Sequence, residues 1–309
     1  MRNIINLNEG WKFSKENEKL PVTMPEDWQD VNLPHTWNAV DGHDGNGSYD
    51  RGCYWYAKSF KTPVQPLPDG RIILEILAAG QQATVYVNGK GEFYHEGGYS
   101  IFRVDITDAC REEGENLLAI ACSNENKSSV YPQSADFTFY GGLYRGVNLI
   151  SVPKAHFDLE HLGSSGFMVT AVPCDCGGAK FKLESWPVHA DENFTVIYSI
   201  KDAQGKEVAG AVRPADSTAV EVYVPDVTLW DCSNPYLYTV TATLQRRNEA
   251  YDEVSVRAGV RSFSCDPDKG FILNGIPTPL RGVSRHQDLL YKGNALTRED
   301  HYNDAKIIK

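Results

Sequence analysis

The stretch Phe271–Leu290, FILNGIPTPLRGVSRHQDLL, decides how the rest of the chain is read. Phe271-Ile272-Leu273 is a short apolar run closed by Asn274-Gly275, a strong two-residue hairpin signal, because both turn residues must take positive φ. Pro277 and Pro279 punctuate, and Leu280–His286 then alternates apolar and polar residues, ending in Arg285, His286 and Gln287. After a short loop, Thr297-Arg298-Glu299-Asp300 has the spacing of a capping box, in which a hydroxyl and a carboxylate three residues apart satisfy two orphan N–H groups. The spacing predicts a helix over His301–Lys309. Strand, polar strand end, loop and helix together make one unit of a barrel-type α/β fold. In such folds the carboxyl end of the strand faces the active site.

This segment closely resembles the entry into the catalytic barrel of family 2 glycoside hydrolases, above all their β-galactosidases. Leu273-Asn274-Gly275, Leu280-Arg281-Gly282-Val283, Arg285-His286 and Asp288 carry the likeness. The commoner family spelling has Asn where Ser284 stands and Glu where Gln287 stands. The resemblance implies that His286 lies on the floor of a sugar subsite, where neutral imidazole can donate from one nitrogen and accept at the other. It implies that Arg285 supports neighbouring carboxylates through a bidentate pair. The blander reading has both side chains bonded to adjacent strands.

Only 39 residues run from Phe271 to the last position, whereas a complete eight-stranded barrel needs roughly 250. The chain is therefore expected to hold only the first strand and helix of the barrel, over residues 265–309. A strand without neighbours leads to the expectation of a disordered or opportunistically packed tail. The family's acid/base and nucleophilic glutamates lie on later strands, so the resemblance implies no catalytic residue here and an inactive amino-terminal portion. Acidic pairs such as Glu112/Glu113 and Glu299/Asp300 fall on loops or helix starts.

Upstream, short strands recur with turn signals between them, the pattern of antiparallel sandwiches. Trp11, Tyr54-Trp55-Tyr56, Ile72–Leu77, Ala83–Val87 running into Asn88-Gly89, Phe102–Thr107 and Leu118–Cys122 define a first domain over 1–153. Its V-x-V-N-G and F-x-V-D-I-T runs resemble the family's jelly-roll sugar-binding domain. The G-G-L-Y-R run at Gly141–Arg145 adds to the match. Gly141-Gly142 should bring backbone close to a neighbouring segment, and Arg145 should anchor a carboxylate. By the resemblance, Asp136 reaches a galactose hydroxyl. Taken alone it reads as a turn or cap residue. The loop Asp41–Gly52, with Asn46 at its centre, offers carboxylates and amides to a hydroxyl-rich ligand, or is simply solvated.

Residues 154–264 carry four period-two runs and suit an immunoglobulin-like sandwich of about 110 residues, without the Cys…Trp…Cys framework of antibody domains. Leu229–Tyr238 resembles the family's L-W-x-x-x-N-P-Y-L-Y stretch. The fold expectation is thus all-β: a jelly roll, an immunoglobulin-like sandwich, and the start of a barrel.

Composition agrees with a β-rich globular chain: 309 residues, 41% hydrophobic, 26 Gly and 16 Pro. A net charge of −11 argues against nucleic acid or an anionic membrane surface as partner, and no apolar run approaches a membrane span. No signal-type apolar region follows Met1, which favours a cytoplasmic location. A trimmed signal would make it periplasmic. Seven scattered cysteines suggest neither a zinc ribbon nor a disulfide framework, Cys174 and Cys176 being the sole close pair. No cofactor is called for, the expected partner is a β-galactoside, and a homo-oligomer is compatible with the sequence. β-Glucuronidases and β-mannosidases share the domain order, although glucuronidases more often carry Lys where Arg285 stands. A stand-alone carbohydrate-binding module is the rival, with Trp37, Tyr54, Trp55 and Tyr140 as candidate stacking residues.

Overall fold

The computed structural model describes residues 1–16, 19–45, 47–63, 69–132, 134–175 and 177–309. Asn46 lies outside these residues. The chain forms two compact units: one comprises Met1–Arg2, Pro66–Gly70 and Val152–Gly282, the other Asn3–Gln65, Arg71–Ser151 and Val283–Lys309.

In the second of these, strands β1 (Asn3–Asn6), β2 (Trp11–Ser14), β3 (Gln29–Val31), β4 (Cys53–Lys61), β5 (Arg71–Ile76), β6 (Gln82–Val87), β7 (Lys90–Glu96), β8 (Phe102–Asp105), β9 (Glu115–Ser123) and β10 (Val147–Val152) make two antiparallel sheets. Their orders are β1-β10-β5-β8 and β3-β2-β4-β9-β6-β7. Alternation explains the sandwich: along β6 the side chains of Ala83, Val85 and Val87 are buried while their neighbours are half-buried. They join Trp11, Tyr56, Leu74, Ile76, Leu118 and Ile120 in one core. Each large apolar side chain fully buried in this way contributes roughly 1.5–3 kcal/mol. Asn88 and Gly89 both take positive φ at the β6–β7 turn, as the hairpin signal requires.

The other unit is a second antiparallel sandwich. After β11 (His156–Phe157) come β12 (Phe167–Pro173), β13 (Ala179–Ser185), β14 (Pro187–Val188), β15 (Phe194–Lys201), β16 (Glu207–Pro214), β17 (Ala219–Val224), β18 (Tyr238–Arg246) and β19 (Glu249–Ala258). Sheets β12-β13-β17 and β16-β15-β18-β19 enclose Phe181, Val196, Tyr198, Ile200, Val240 and Leu244. Arg2 belongs to this unit. Its Nε and Nη2 donate to the two Asp252 carboxylate oxygens at 3.2 and 2.8 Å, and both side chains are buried. Asp252 also accepts from the Phe157 amide at 2.9 Å, so the buried charge is fully engaged.

Phe271–Leu273 does form a strand with a following hairpin. β20 (Phe263–Asp266), β21 (Gly270–Leu273) and β22 (Ile276–Pro277) make a small antiparallel sheet, with Asn274 and Gly275 at φ 51° and 79°. This sheet spans the position expected to separate the sandwich from the barrel start and falls within the Val152–Gly282 segment. Leu280–His286, expected as a barrel strand, is not one: no strand is assigned between Pro277 and the helix. The alternation is genuine, but a strand exists only through ladder partners, and here the segment has none. The helix α1 (Arg298–Ile308) is capped as the spacing predicts: the Thr297 hydroxyl accepts from the Asp300 amide at 3.3 Å and the Asp300 carboxylate from the Thr297 amide at 2.8 Å.

Candidate functional site

Residues 283–297 pack on the jelly-roll unit and close one side of a cleft. Ala295 is buried with Ala78 and Tyr144, and Leu296 is buried as well. Gly293 sits so near Tyr140 that a Cβ there would come within 2.6 Å of its ring. The Tyr140 hydroxyl donates to Asp288 at 3.1 Å. Burial, and then the Asp288 charge, push the Tyr140 hydroxyl up to about 12, which keeps it protonated as a donor. The cleft encloses about 260 Å³ between the Gly98-Tyr99 loop, Phe137–Tyr140 and Arg285–Asp288.

The Gly141-Gly142 expectation is met in detail. A Cβ on Gly141 would lie 2.0 Å from Trp37 Cζ2, and one on Gly142 (φ 117°) would lie 2.5 Å from the His35 carbonyl oxygen. The Gly141 amide donates to Asn38 Oδ1 at 2.9 Å, and its carbonyl accepts from the Thr36 hydroxyl at 2.6 Å. Behind them, His35 Nδ1 and the Tyr56 hydroxyl are 2.7 Å apart. Burial, assisted by the nearby Lys15 charge, lowers the His35 pKa to about 4, so the ring is neutral at pH 7.

Of the sequence-predicted residues, Arg285 and His286 line the cleft, His286 being exposed. Arg285 donates through Nε to Asp304 Oδ2 at 2.7 Å and through Nη2 to the same oxygen. The carboxylate pairing expected of it is therefore present, but it uses one oxygen rather than a two-oxygen fork. Asp136 is exposed and directly precedes Phe137, a lining residue. Among the described residues Arg145 anchors no carboxylate: it donates to the Tyr99 carbonyl at 3.2 Å, and its guanidinium lies 5.7 Å from the centre of the Tyr144 ring. In the loop around Asn46, Asp41 is buried, accepting from Asn38 Nδ2 at 2.8 Å and from the Asp50 amide at 2.7 Å, while His43, Asp44 and Ser48 are exposed.

Three of the four candidate stacking aromatics are packing residues. Trp37 lies nearly parallel to Phe13 at 6.1 Å, Trp55 is buried with Trp28, and Tyr54 meets Trp37 edge-on at 4.8 Å. Sequence reasoning passed over Tyr99 and Tyr144. The buried Tyr144 hydroxyl donates to the Gly98 carbonyl, a cross-chain contact that no local spacing announces. Cys53, Cys122, Cys232 and Cys265 carry free thiols, and among the described residues no cluster of three or more His, Cys, Asp or Glu side chains could hold a metal ion. Among them, too, no helix is long and apolar enough to cross a membrane.

A jelly-roll cleft carrying the Gly-Gly-Leu-Tyr-Arg core, followed by a second sandwich, is the amino-terminal layout of one enzyme family, and comparison with known proteins agrees. The model for "Glycosyl hydrolases family 2, sugar binding domain" matches residues 5–153 and that for "Glycosyl hydrolases family 2" matches 169–261. The chain belongs to glycoside hydrolase family 2. A solved structure described as an FMN-binding β-glucuronidase from Facaelibacterium prausnitzii L2-6 is 60% identical with a TM-score of 0.93, covering 100% of this chain and 47% of that one. A Bacteroides fragilis β-glucuronidase is 29% identical over 100% of this chain and 45% of its own length. A Bacteroides ovatus β-galactosidase is 30% identical over 98% and 37%, respectively. The chain thus spans less than half the length of these relatives.

Proposed function

We propose that this chain is the sugar-binding and spacer portion of a retaining exo-glycosidase, and that the protein containing it releases terminal β-glucuronosyl groups. The observation that carries the reading is the 60% identity, over the whole chain, to a protein described as a β-glucuronidase. It displaces galactoside as the first substrate choice. A second reading, β-galactoside, is favoured by Arg285, which stands where glucuronidases more often carry Lys, and by the galactosidases among the relatives. In both readings Asp136 and His286 contact sugar hydroxyls, Arg285 holds the cleft wall through Asp304, and residues from 265 onward begin the catalytic barrel.

Retaining hydrolysis needs two carboxyl groups roughly 5–5.5 Å apart, one to protonate the leaving oxygen and one to attack the anomeric carbon. Among the described residues the cleft lining holds a single carboxylate, Asp288, already engaged by Tyr140. The isolated 309-residue chain is therefore expected to be inactive. The test is parallel hydrolysis of 4-nitrophenyl β-D-glucuronide and β-D-galactoside by the full-length protein and by this chain. Preference for the glucuronide supports the first reading and preference for the galactoside the second. Activity toward neither by the full-length protein sinks both.

A further inference from the structure

We propose that Tyr99 is a preset stacking face for a glycoside held in the cleft, an inference that rests on the carbohydrate reading above. Three successive backbone groups pin the loop that carries it. The Gly97 amide donates to the Gln81 carbonyl at 2.8 Å, the Gly98 carbonyl accepts from Tyr144, and the Tyr99 carbonyl accepts from Arg145 Nη1 at 3.2 Å. Gly97 takes φ 119°, a conformation glycine alone enters without strain. A Cβ on Gly98 would come within 3.1 Å of the Gln81 nitrogen, so the loop passes tightly against the backbone just before β6.

All of this fixes main chain and leaves the Tyr99 ring open. It lines the cleft and is 51% exposed. Among the described residues it stacks on no other ring, and its hydroxyl makes no hydrogen bond. A bulky aromatic with ordered backbone and an uncovered face loses little further freedom on binding, which is what a recognition surface requires. The partner chemistry is a flat apolar face, supplied either by the C–H face of a pyranose or by an aryl aglycone. Phe137, half-buried, lines the same cleft.

The experiment titrates the 309-residue chain with methyl and 4-nitrophenyl β-D-glucuronides and the matching galactosides, followed by saturation-transfer NMR. Tyr99→Ala is expected to weaken binding roughly three- to tenfold, and Tyr99→Phe to leave it unchanged, since the ring rather than the hydroxyl is used. Equal weakening for methyl and aryl glycosides assigns the sugar face, and weakening confined to the aryl compounds assigns the aglycone. Wild-type affinity in a folded Tyr99→Ala protein overturns the proposal, as does equal loss in both variants. If Asp136→Ala and His286→Ala weaken binding while Tyr99→Ala does not, stacking alone falls. If the unaltered chain binds none of the four glycosides, the carbohydrate reading of the cleft falls and takes this inference with it.

Discussion

Replacing Gly141 with alanine tests the packing behind the cleft. The added methyl would sit 2.0, 2.4 and 2.5 Å from three atoms of the Trp37 indole. That ring cannot swing away freely: it is sandwiched with Phe13 and Tyr54, and its Nε1 donates to the Asp50 carbonyl at 3.1 Å. Gly141 cannot retreat either, because Gly80 lies against it from another side and its own amide and carbonyl are bonded. Overpacking typically costs 1–3 kcal/mol. With both partners held, about 3 kcal/mol is expected, which lowers the melting temperature of a unit of this size by about 6–12 °C. Scanning calorimetry should place the loss in the transition of the unit containing Gly141. Gly47→Ala, at an open position, should stay within about 0.5 kcal/mol. Removing the indole in Trp37→Leu should make the second substitution cheaper, a coupling of about 1 kcal/mol or more in a double-mutant cycle. A Gly141→Ala protein melting within 2 °C of the parent (about 1 kcal/mol or less) would refute this account of the glycine pair.

Arg2→Ala strands the Asp252 carboxylate in the second sandwich, and urea denaturation should report a loss of about 3–5 kcal/mol. A loss below about 1 kcal/mol would mean that water reaches Asp252 after all. His35 sets an acid limb. Its folded-state pKa is lowered to about 4 while the unfolded chain titrates near 6.5, so the unfolded state binds more protons between these values. Stability is therefore held above pH 6.5 and declines as pH falls toward 4, by up to about 3 kcal/mol. His35→Gln should flatten that decline in melting temperature against pH, and an unchanged slope would assign the loss to other groups.

Much of the fold was written in local spacing. Asn88-Gly89 and Asn274-Gly275 demand left-handed turn residues, and Thr297 with Asp300 needs only a three-residue offset to cap α1. What local spacing could not decide were features set by partners distant in the chain. Leu280–His286 alternates like a strand, yet alternation specifies a face and not a neighbour. A guanidinium usually seeks a carboxylate, but Arg145 donates to the Tyr99 carbonyl, which follows the Gly97 turn. Trp37, Tyr54 and Trp55 read as packing before they read as a sugar platform, and the close approach of Gly141 shows where the Trp37 indole is held. For the candidate site, the sequence supplied Arg285 and His286. Their wall depends on Tyr140 meeting Asp288, 148 positions later in the chain.

The path of the chain sets an order on the cleft's completion. Val152–Gly282, the bulk of the other unit, is synthesised before Val283–Lys309, which belongs to the jelly-roll unit. A ribosome adding about 5–20 residues per second must deliver that entire intervening body first. For on the order of ten seconds the nascent jelly roll presents Ala78 and Tyr144 without the Ala295 that later covers them, and translation time is built into the maturation of the site.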